Sequence, residues 1–248
     1  MLYLIGIGLG NEKDITLNGI EALKKSDYIY LENYTSNIGF EIENLEKLIS
    51  KKIILVNRKK MEEEINSILD QAKEKIVSVL IKGDIFSATT HITILLSAKE
   101  KNIDLKIIHN ASILNVIGDT GLMLYNFGKT ASIPFNNEQI ETPYNVLNDN
   151  LSIGLHTLFL LDLKSSFEFM NFKEGINYII KIENKQRLNL INNDSKVIIC
   201  AGLGTEKQII KYGKIKDLLK SEIEIYPQCF IIPGKLHFIE EEVLKLFN

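Results

Sequence analysis

Cysteine is scarce. Cys200 and Cys229 are the two thiols in 248 residues, and each lies in an apolar, strand-like run (Val197-Ile198-Ile199-Cys200 and Cys229-Phe230-Ile231-Ile232). Neither has a Cys or His neighbour at metal-ligand spacing, so no metal site is expected and two buried, reduced thiols are. Reduced thiols point to a reducing compartment, most simply the cytoplasm. Charge of one sign is lacking too. With 29 basic and 32 acidic residues the net charge is −3, which implies neither nucleic acid nor an anionic membrane as a partner. No stretch approaches the roughly 20 apolar residues of a membrane-spanning helix. The start, Met1-Leu2-Tyr3-Leu4-Ile5-Gly6, lacks the cationic opening and cleavage site of a signal peptide and reads as a strand. There is no Gly-Lys-Ser/Thr phosphate loop and no Gly-x-Ser-x-Gly nucleophile elbow. The four histidines, His91, His109, His156 and His237, form no i, i+4 pair.

Short apolar runs instead alternate with helical patterns, the signature of an α/β protein. Strands are expected at Leu2 to Leu9, Asp27 to Glu32, Ile53 to Val56, Ile76 to Ile81 and Leu105 to Ile108. Between them helices fit Leu17 to Lys25 (Thr16 as cap), Glu41 to Ile49, and a long amphipathic Met61 to Lys75. A last helix fits Thr89 to Lys101, with Ile92, Leu95, Leu96 and Lys99 at helical spacing. Right-handed crossovers make this first sheet mostly parallel. Beyond Ser112 the pattern loosens at Gly118, Gly121, Gly128, Pro134 and Pro143, with strands recurring at Leu158 to Leu161, Val197 to Ala201, Gln208 to Tyr212 and Cys229 to Ile232. The expectation is two domains: an N-terminal α/β domain over 1–110 and a C-terminal α+β domain with a mixed sheet over 111–248. Lys181 to Asn193, polar and Asn-rich, is the expected mobile loop.

Polar and glycine-rich segments follow the strands. Gly6-Ile7-Gly8-Leu9-Gly10 follows the first, Gly83 to His91 the fourth, and His109-Asn110-Ala111-Ser112-Ile113 the fifth. In a parallel sheet all three lie at the carboxyl edge, where ligands bind. Leu160 to Lys164 and Ala201 to Thr205 end strands of the second half. The first loop imitates a dinucleotide fingerprint, but Asn11-Glu12-Lys13-Asp14 separates its glycines from the helix and would set two carboxylates against a pyrophosphate. Gly83-Asp84 with the hydroxyls that follow suits a small zwitterion: amides and hydroxyls for a carboxylate, one acid for a cation or ribose. No Lys or Arg lies between Asp84 and Lys99, which disfavours a triphosphate.

Taken with Asp14-Ile15-Thr16, Leu31 to Ser36, Gly118 to Leu122, Gly154 to Lys164 and Pro233 to His237, these segments resemble the diphthine synthase family, methyltransferases of the diphthamide pathway within the tetrapyrrole methylase fold. The most diagnostic are Ala88-Thr89-Thr90-His91, His109-Asn110-Ala111-Ser112-Ile113 and Gly154-Leu155-His156-Thr157-Leu158. The resemblance implies a two-domain tetrapyrrole methylase-like fold, a homodimer, and S-adenosylmethionine held in the cleft between the domains. It implies methylation of the amine of a 3-amino-3-carboxypropyl histidine on translation elongation factor 2. Archaeal members stop at the trimethylammonium product, and eukaryotic members add a methyl ester. Carried over by position, the cofactor residues are Leu9, Asp84, Ser87, Ser112 and Ile113 from the first half and Leu161, Leu203, Gln228 and Cys229 from the second. For Cys229 the backbone is the expected contact.

The chain departs from the family pattern at Ile85 (usually proline), Gly202 (often arginine) and Gln228 (commonly histidine), and the segment after Lys164 is short. Methyl transfer from a sulfonium needs no metal, and the catalytic group stays unassigned, with Asp84, Asp162 and His156 as candidate proton acceptors. Two readings compete: a methylase of the same fold acting on a tetrapyrrole precursor, and a non-catalytic subunit that binds the cofactor without turnover.

Overall fold

The computed structural model describes residues 1–33, 41–87, 91–163 and 168–248. Three family segments therefore fall partly outside the described residues: Leu31 to Ser36 beyond Asn33, Ala88-Thr89-Thr90, and the end of Gly154 to Lys164. The chain divides into two compact units, Met1–Val116 with Gly204–Glu206, and Ile117–Leu203 with Lys207–Asn248. Asn110 belongs to the first, where its side chain donates to the carbonyls of Gly6 (3.0 Å) and Asp14 (2.9 Å).

The first unit runs β1 (Leu2–Gly6), α1 (Leu17–Lys25), β2 (Tyr28–Glu32), α2 (Ile42–Ile49), β3 (Ile54–Val56), α3 (Arg58–Glu62), α4 (Asn66–Ala72), β4 (Val77–Ile81), α5 (Ile92–Glu100), β5 (Leu105–Ile108) and α6 (Ile113–Val116). Its strands are parallel, in the order β3-β2-β4-β1-β5. β4 is buried throughout, which is why it reads as a continuous apolar run: helices cover both faces of a parallel sheet. Leu2, Leu4, Val77, Val79 and Ile81 pack with Ile68 and Leu69 of α4 and Ile94 and Ala98 of α5. Ile5, Ile29, Leu31 and Leu80 pack with Leu23 of α1 and Leu45 and Ile49 of α2.

Two helices depart from the sequence reading. The expected Met61 to Lys75 helix is α3 and α4. Asn57 caps α3 by accepting from Lys60 N–H (2.9 Å), and Glu64 N–H reaches back to the Lys59 carbonyl (3.1 Å), a six-to-one bond that ends the helix. The three adjacent charges Glu62-Glu63-Glu64 favour the break, since Glu64 leaves the helix to pair with Lys59 and Lys60. In α5 the buried residues are Ile94 and Ala98, while Ile92 and Leu96 are more than half exposed. That helix is apolar on more than one face, so spacing alone could not choose the side that meets the sheet.

The second unit runs β6 (Ala131–Ile133), α7 (Thr142–Ser152), β7 (Thr157–Leu161), α8 (Phe172–Gln186), β8 (Lys196–Ala201), β9 (Ile209–Lys214), α9 (Ile215–Leu218), β10 (Gln228–Ile232) and α10 (Phe238–Leu244). Its sheet is mixed, as expected: the order is β6-β7-β10-β8-β9, with β6 and β7 parallel and the other pairs antiparallel. The expected mobile loop from Lys181 to Asn193 is a correction. Its first part is the end of α8, which starts on an Asn171/Glu174 capping box. The remainder is tied down by buried Glu183, which accepts N–H bonds from Asn189 (2.9 Å), Leu190 (2.8 Å) and Ile191 (3.3 Å) and the Tyr144 hydroxyl (3.0 Å). Burial alone would raise the Glu183 carboxyl, but these donors hold it below the usual range. The polar composition of the segment hid a single acid that collects its amides.

A second buried hub closes the unit. Gly234 N–H donates to His156 Nδ1 (2.9 Å), so Nε2 carries the ring proton and donates to Glu240 (3.2 Å). Glu240 also accepts from Met123 N–H (2.8 Å), Asn126 (3.2 Å) and His237 N–H (2.7 Å). His156 thus starts β7 as expected, but its ring serves the core. Glu240→Ala leaves four buried or half-buried donors without an acceptor. It is expected to lower unfolding stability by about 3 kcal/mol, read from the denaturant midpoint at constant slope.

Candidate active site

The order of the first sheet places the site. From β1 the chain crosses β4 to reach β2, and from β4 it crosses β1 to reach β5. Right-handed crossovers in opposite directions must use opposite faces. β1 and β4 are neighbours, so the loops that follow them part company and leave a crevice beyond their carboxyl ends, the switch point where α/β sheets bind ligands. The two loops are bonded where they diverge: Gly8 N–H donates to the Gly83 carbonyl (3.2 Å) and Gly83 N–H to the Gly8 carbonyl (2.9 Å). Both glycines have φ of +75°, a conformation that side chains oppose.

The glycine loop spends its amides on the protein. Gly8 N–H is taken by Gly83, and Gly10 N–H donates to Asp14 Oδ2 (2.6 Å). Glu12–Asp14 form a short 3-10 turn before α1, so the carboxylate expected to repel a pyrophosphate occupies an amide that a phosphate would need. Lys82, at the end of β4, donates to the Leu9 carbonyl. Burial pulls its pKa from the ordinary 10.5 down to about 8, against the pull of Asp14. Leu9 packs on Gly204, at which a Cβ would stand 2.9 Å from Leu9 Cδ1.

Asp84 is buried, and both carboxylate oxygens are engaged. Oδ1 accepts from Phe86 N–H (3.1 Å) and the Ser87 hydroxyl (3.3 Å), and Oδ2 meets His109 Nδ1 (2.8 Å) and Asn110 N–H (3.2 Å). Burial would raise this carboxyl, but the Phe86 amide, the His109 ring and the Asn110 amide hold it below the usual carboxylate range. Ser112 is buried at the start of α6, where its N–H donates to Asn115 Oδ1 (2.6 Å), and Ile113 is the first residue of that helix. Leu9, Asp84, Ser87, Ser112 and Ile113 therefore gather at the carboxyl edge of β1, β4 and β5. A buried carboxylate on the same sheet edge as apolar Leu9 and Ile113, with Lys82 turned onto the Leu9 carbonyl, suits a cationic sulfonium with an apolar body better than a polyphosphate. Ile85, the proline substitute, is fully buried in the core below the loop.

The second-unit candidates sit on the ends of β7, β8 and β10. Leu161 ends β7 half-buried, and Leu203 is buried just past β8. Gln228 is turned inward: its Oε1 accepts from Phe172 N–H (2.9 Å) and its Nε2 donates to the Ile223 (2.8 Å) and Ile225 (3.1 Å) carbonyls. Cys229 lies directly opposite Cys200 across the antiparallel β8–β10 pair, and both thiols are free and buried. Contact with Cys229, together with burial, pushes the Cys200 thiol well above its ordinary range. Asp162 accepts from Phe135 N–H (3.1 Å) and its neighbour Leu163 N–H (2.8 Å). His91 is buried against Glu32 (2.6 Å). No cluster of His, Cys, Asp or Glu among the described residues could hold a metal ion. The group that sequence reasoning left without a role is His109. Its signals were its place in a strand-end loop and at the head of a family motif, and neither shows its partner, because Asp84 lies in the loop after another strand.

The profile of the tetrapyrrole (corrin/porphyrin) methylases matches residues 1–219, and the chain belongs to that family. It is a methyltransferase whose methyl donor is S-adenosylmethionine. Within the family it falls among the diphthine synthases. It is 45% identical to the diphthine synthase of Methanococcus vannielii over 99% of this chain and 98% of that one. It is 38% identical to a protein of Arabidopsis thaliana named probable diphthine methyl ester synthase, over 100% and 98% of the two chains. A crystal structure of diphthine synthase superposes with a TM-score of 0.90 at 33% identity, covering 99% of this chain and 95% of that one.

Two outcomes follow from this geometry. Gly8→Ala puts a Cβ at positive φ and 2.6 Å from Asp14 Cβ, so the loop must shift; cofactor affinity by calorimetry is expected to fall by about tenfold or more. Lys82→Met removes an amine whose folded pKa lies below its unfolded one. Its charged form is disfavoured by folding below about pH 8, and this cost disappears as pH rises from about 8 towards 10.5. The wild type should therefore gain stability relative to Lys82→Met over that interval, by at most about 3 kcal/mol, in denaturation curves at pH 8 and 10.

Proposed function

We propose that this chain methylates the amine of a 3-amino-3-carboxypropyl histidine on translation elongation factor 2, and that it does so as a cytoplasmic homodimer. The observation that carries the reading is near-complete coverage of proteins named for diphthine, one of them at 45% identity. Among the described residues no helix is long and apolar enough to cross a membrane, which agrees with a diffusible protein substrate.

Leu9, Asp84, Ser87, Ser112 and Ile113 serve the cofactor in the first unit, and Leu161, Leu203, Gln228 and Cys229 serve it in the second. The internal bonds of Asp84 and Gln228 and the packing of Cys229 against Cys200 support a role for these three through main-chain atoms and local field. S-adenosylmethionine supplies a methyl group already activated on a sulfonium. What remains for the protein is to bind and orient, to exclude water, and to receive the proton that the amine must lose.

The test mixes the purified protein, S-adenosylmethionine and elongation factor 2 carrying the unmethylated modified histidine, and reads the modified peptide by mass spectrometry. Added methyl groups on that histidine are expected, and their number separates the trimethylammonium product from its methyl ester. Cofactor binding with no methyl transfer would overturn the substrate and return the tetrapyrrole and non-catalytic readings.

A further inference from the structure

An amine carries an extra proton near neutral pH and attacks only after losing it, so a base within reach of the substrate raises the rate. Three of the four histidines are committed elsewhere. His91 is held by Glu32 (2.6 Å) with its side chain 5% exposed. His156 is bonded at both ring nitrogens in the core. His237 Nδ1 caps α10 by accepting from Ile239 N–H (3.3 Å). His109 differs. Its side chain is 64% exposed, and its Nδ1 lies 2.8 Å from a buried carboxylate, Asp84.

Asp84 already accepts from Phe86, Ser87 and Asn110. An ionised carboxylate accepts and cannot donate, so the hydrogen between the two groups belongs to Nδ1. That fixes the tautomer and leaves Nε2 with its lone pair on the exposed side of the ring. Phe86 meets the imidazole edge-on, with centroids 6.2 Å apart, and so limits the ring's rotation. The pair stands at the carboxyl edge of β4 and β5, among Ser87, Ser112 and Ile113. Asp84 is the ionisable group that contacts the ring among the described residues; Lys82, on the same strand end, is turned to the Leu9 carbonyl and Asp14.

We infer that His109 is a catalytic base of this enzyme, taking the proton from the substrate ammonium at Nε2, with Asp84 as the residue that positions it. The inference rests on the reading that an amine is methylated. In the step one N–H bond of the ammonium breaks and one forms at Nε2. The substrate nitrogen keeps the electron pair that accepts the methyl group, and the imidazolium returns its proton to water. Each methyl group added to nitrogen requires one such transfer, whereas a carboxylate is already ionised and requires none.

The experiment compares the wild type, His109→Asn, His109→Ala and Asp84→Asn by kcat against pH, by cofactor affinity, and by 15N NMR of the histidine ring. His109→Asn should lower kcat by about 100-fold or more at pH 7 while binding S-adenosylmethionine as the wild type does. The deficit should shrink towards pH 9 as the amine loses its proton to water. Because the site is exposed, added imidazole should restore part of the kcat of His109→Ala. Asp84→Asn should lower kcat through the wrong tautomer, and His109→Asn remains decisive if Asp84→Asn misfolds. A His109→Asn enzyme with wild-type kcat and pH profile, or one that has lost cofactor binding, would overturn the inference. If the wild type methylates no elongation factor, it is the substrate reading that fails. The NMR spectrum needs no substrate and still decides the pair: hydrogen on Nδ1 and a bare Nε2 at pH 8 support it, and hydrogen on Nε2 overturns it.

Discussion

The first unit depends on the paired hydrogen bonds between Gly8 and Gly83. They join two loops that must diverge, because the chain leaves neighbouring strands β1 and β4 towards opposite faces of the sheet. Each bond is worth about 1 kcal/mol net, and their larger value is geometric. They hold the backbone in a left-handed conformation that places Leu9 and Asp84 on the crevice. Asn110 adds a third loop by donating to Gly6 and Asp14. The site is thus made of strand ends fixed by main-chain bonds, with side chains added on top.

Buried carboxylates do the comparable work elsewhere. Glu183 and Glu240 each collect donors from loops, turns and helix ends, and the donors keep them charged where burial would neutralise them. Such acids are costly to bury and more costly to orphan. Asp84 belongs to the same group. What separates it from Glu240 is the histidine each one holds. The ring on Glu240 is fully buried and bonded at both nitrogens, which makes it part of the core; the ring on Asp84 is mostly exposed and, among the described residues, bonded at one. The same pair of residue types supports structure in one place and suits proton transfer in the other.

That difference matches the demands of the chemistry. Methyl transfer from a sulfonium asks little of the protein beyond orientation, exclusion of water and control of one proton. In the proposed site the loops of the first unit would offer a cationic cofactor apolar side chains and a committed carboxylate, while the Gly8 and Gly10 amides are already bonded within the protein. A glycine-rich loop after a first strand thus carries opposite meanings in this chain and in dinucleotide-binding proteins, and Asp14 on the Gly10 amide makes the distinction.

Much of the architecture was legible in the sequence. The strands of the first sheet, its parallel arrangement and the strand-end loops follow from buried apolar runs of fixed length separated by helical spacing, and these are local properties. The resemblance to the diphthine synthases rests on equally local motifs. Several elements of the second half, β6, α7 and α8 among them, lie where polar residues or prolines mask the period, and α5 is apolar on more than one face, so the sheet it meets selects its buried side. The break between α3 and α4 depended on a cap and a closing bond that spacing does not encode. The pairing of Asp84 with His109, of Glu240 with His156 and of Cys200 with Cys229 joins residues 25 or more positions apart. Sequence by itself determined which residue types stand at the strand ends. Only the tertiary structure decided which of them face one another, because strand order and register, not distance along the chain, set those contacts.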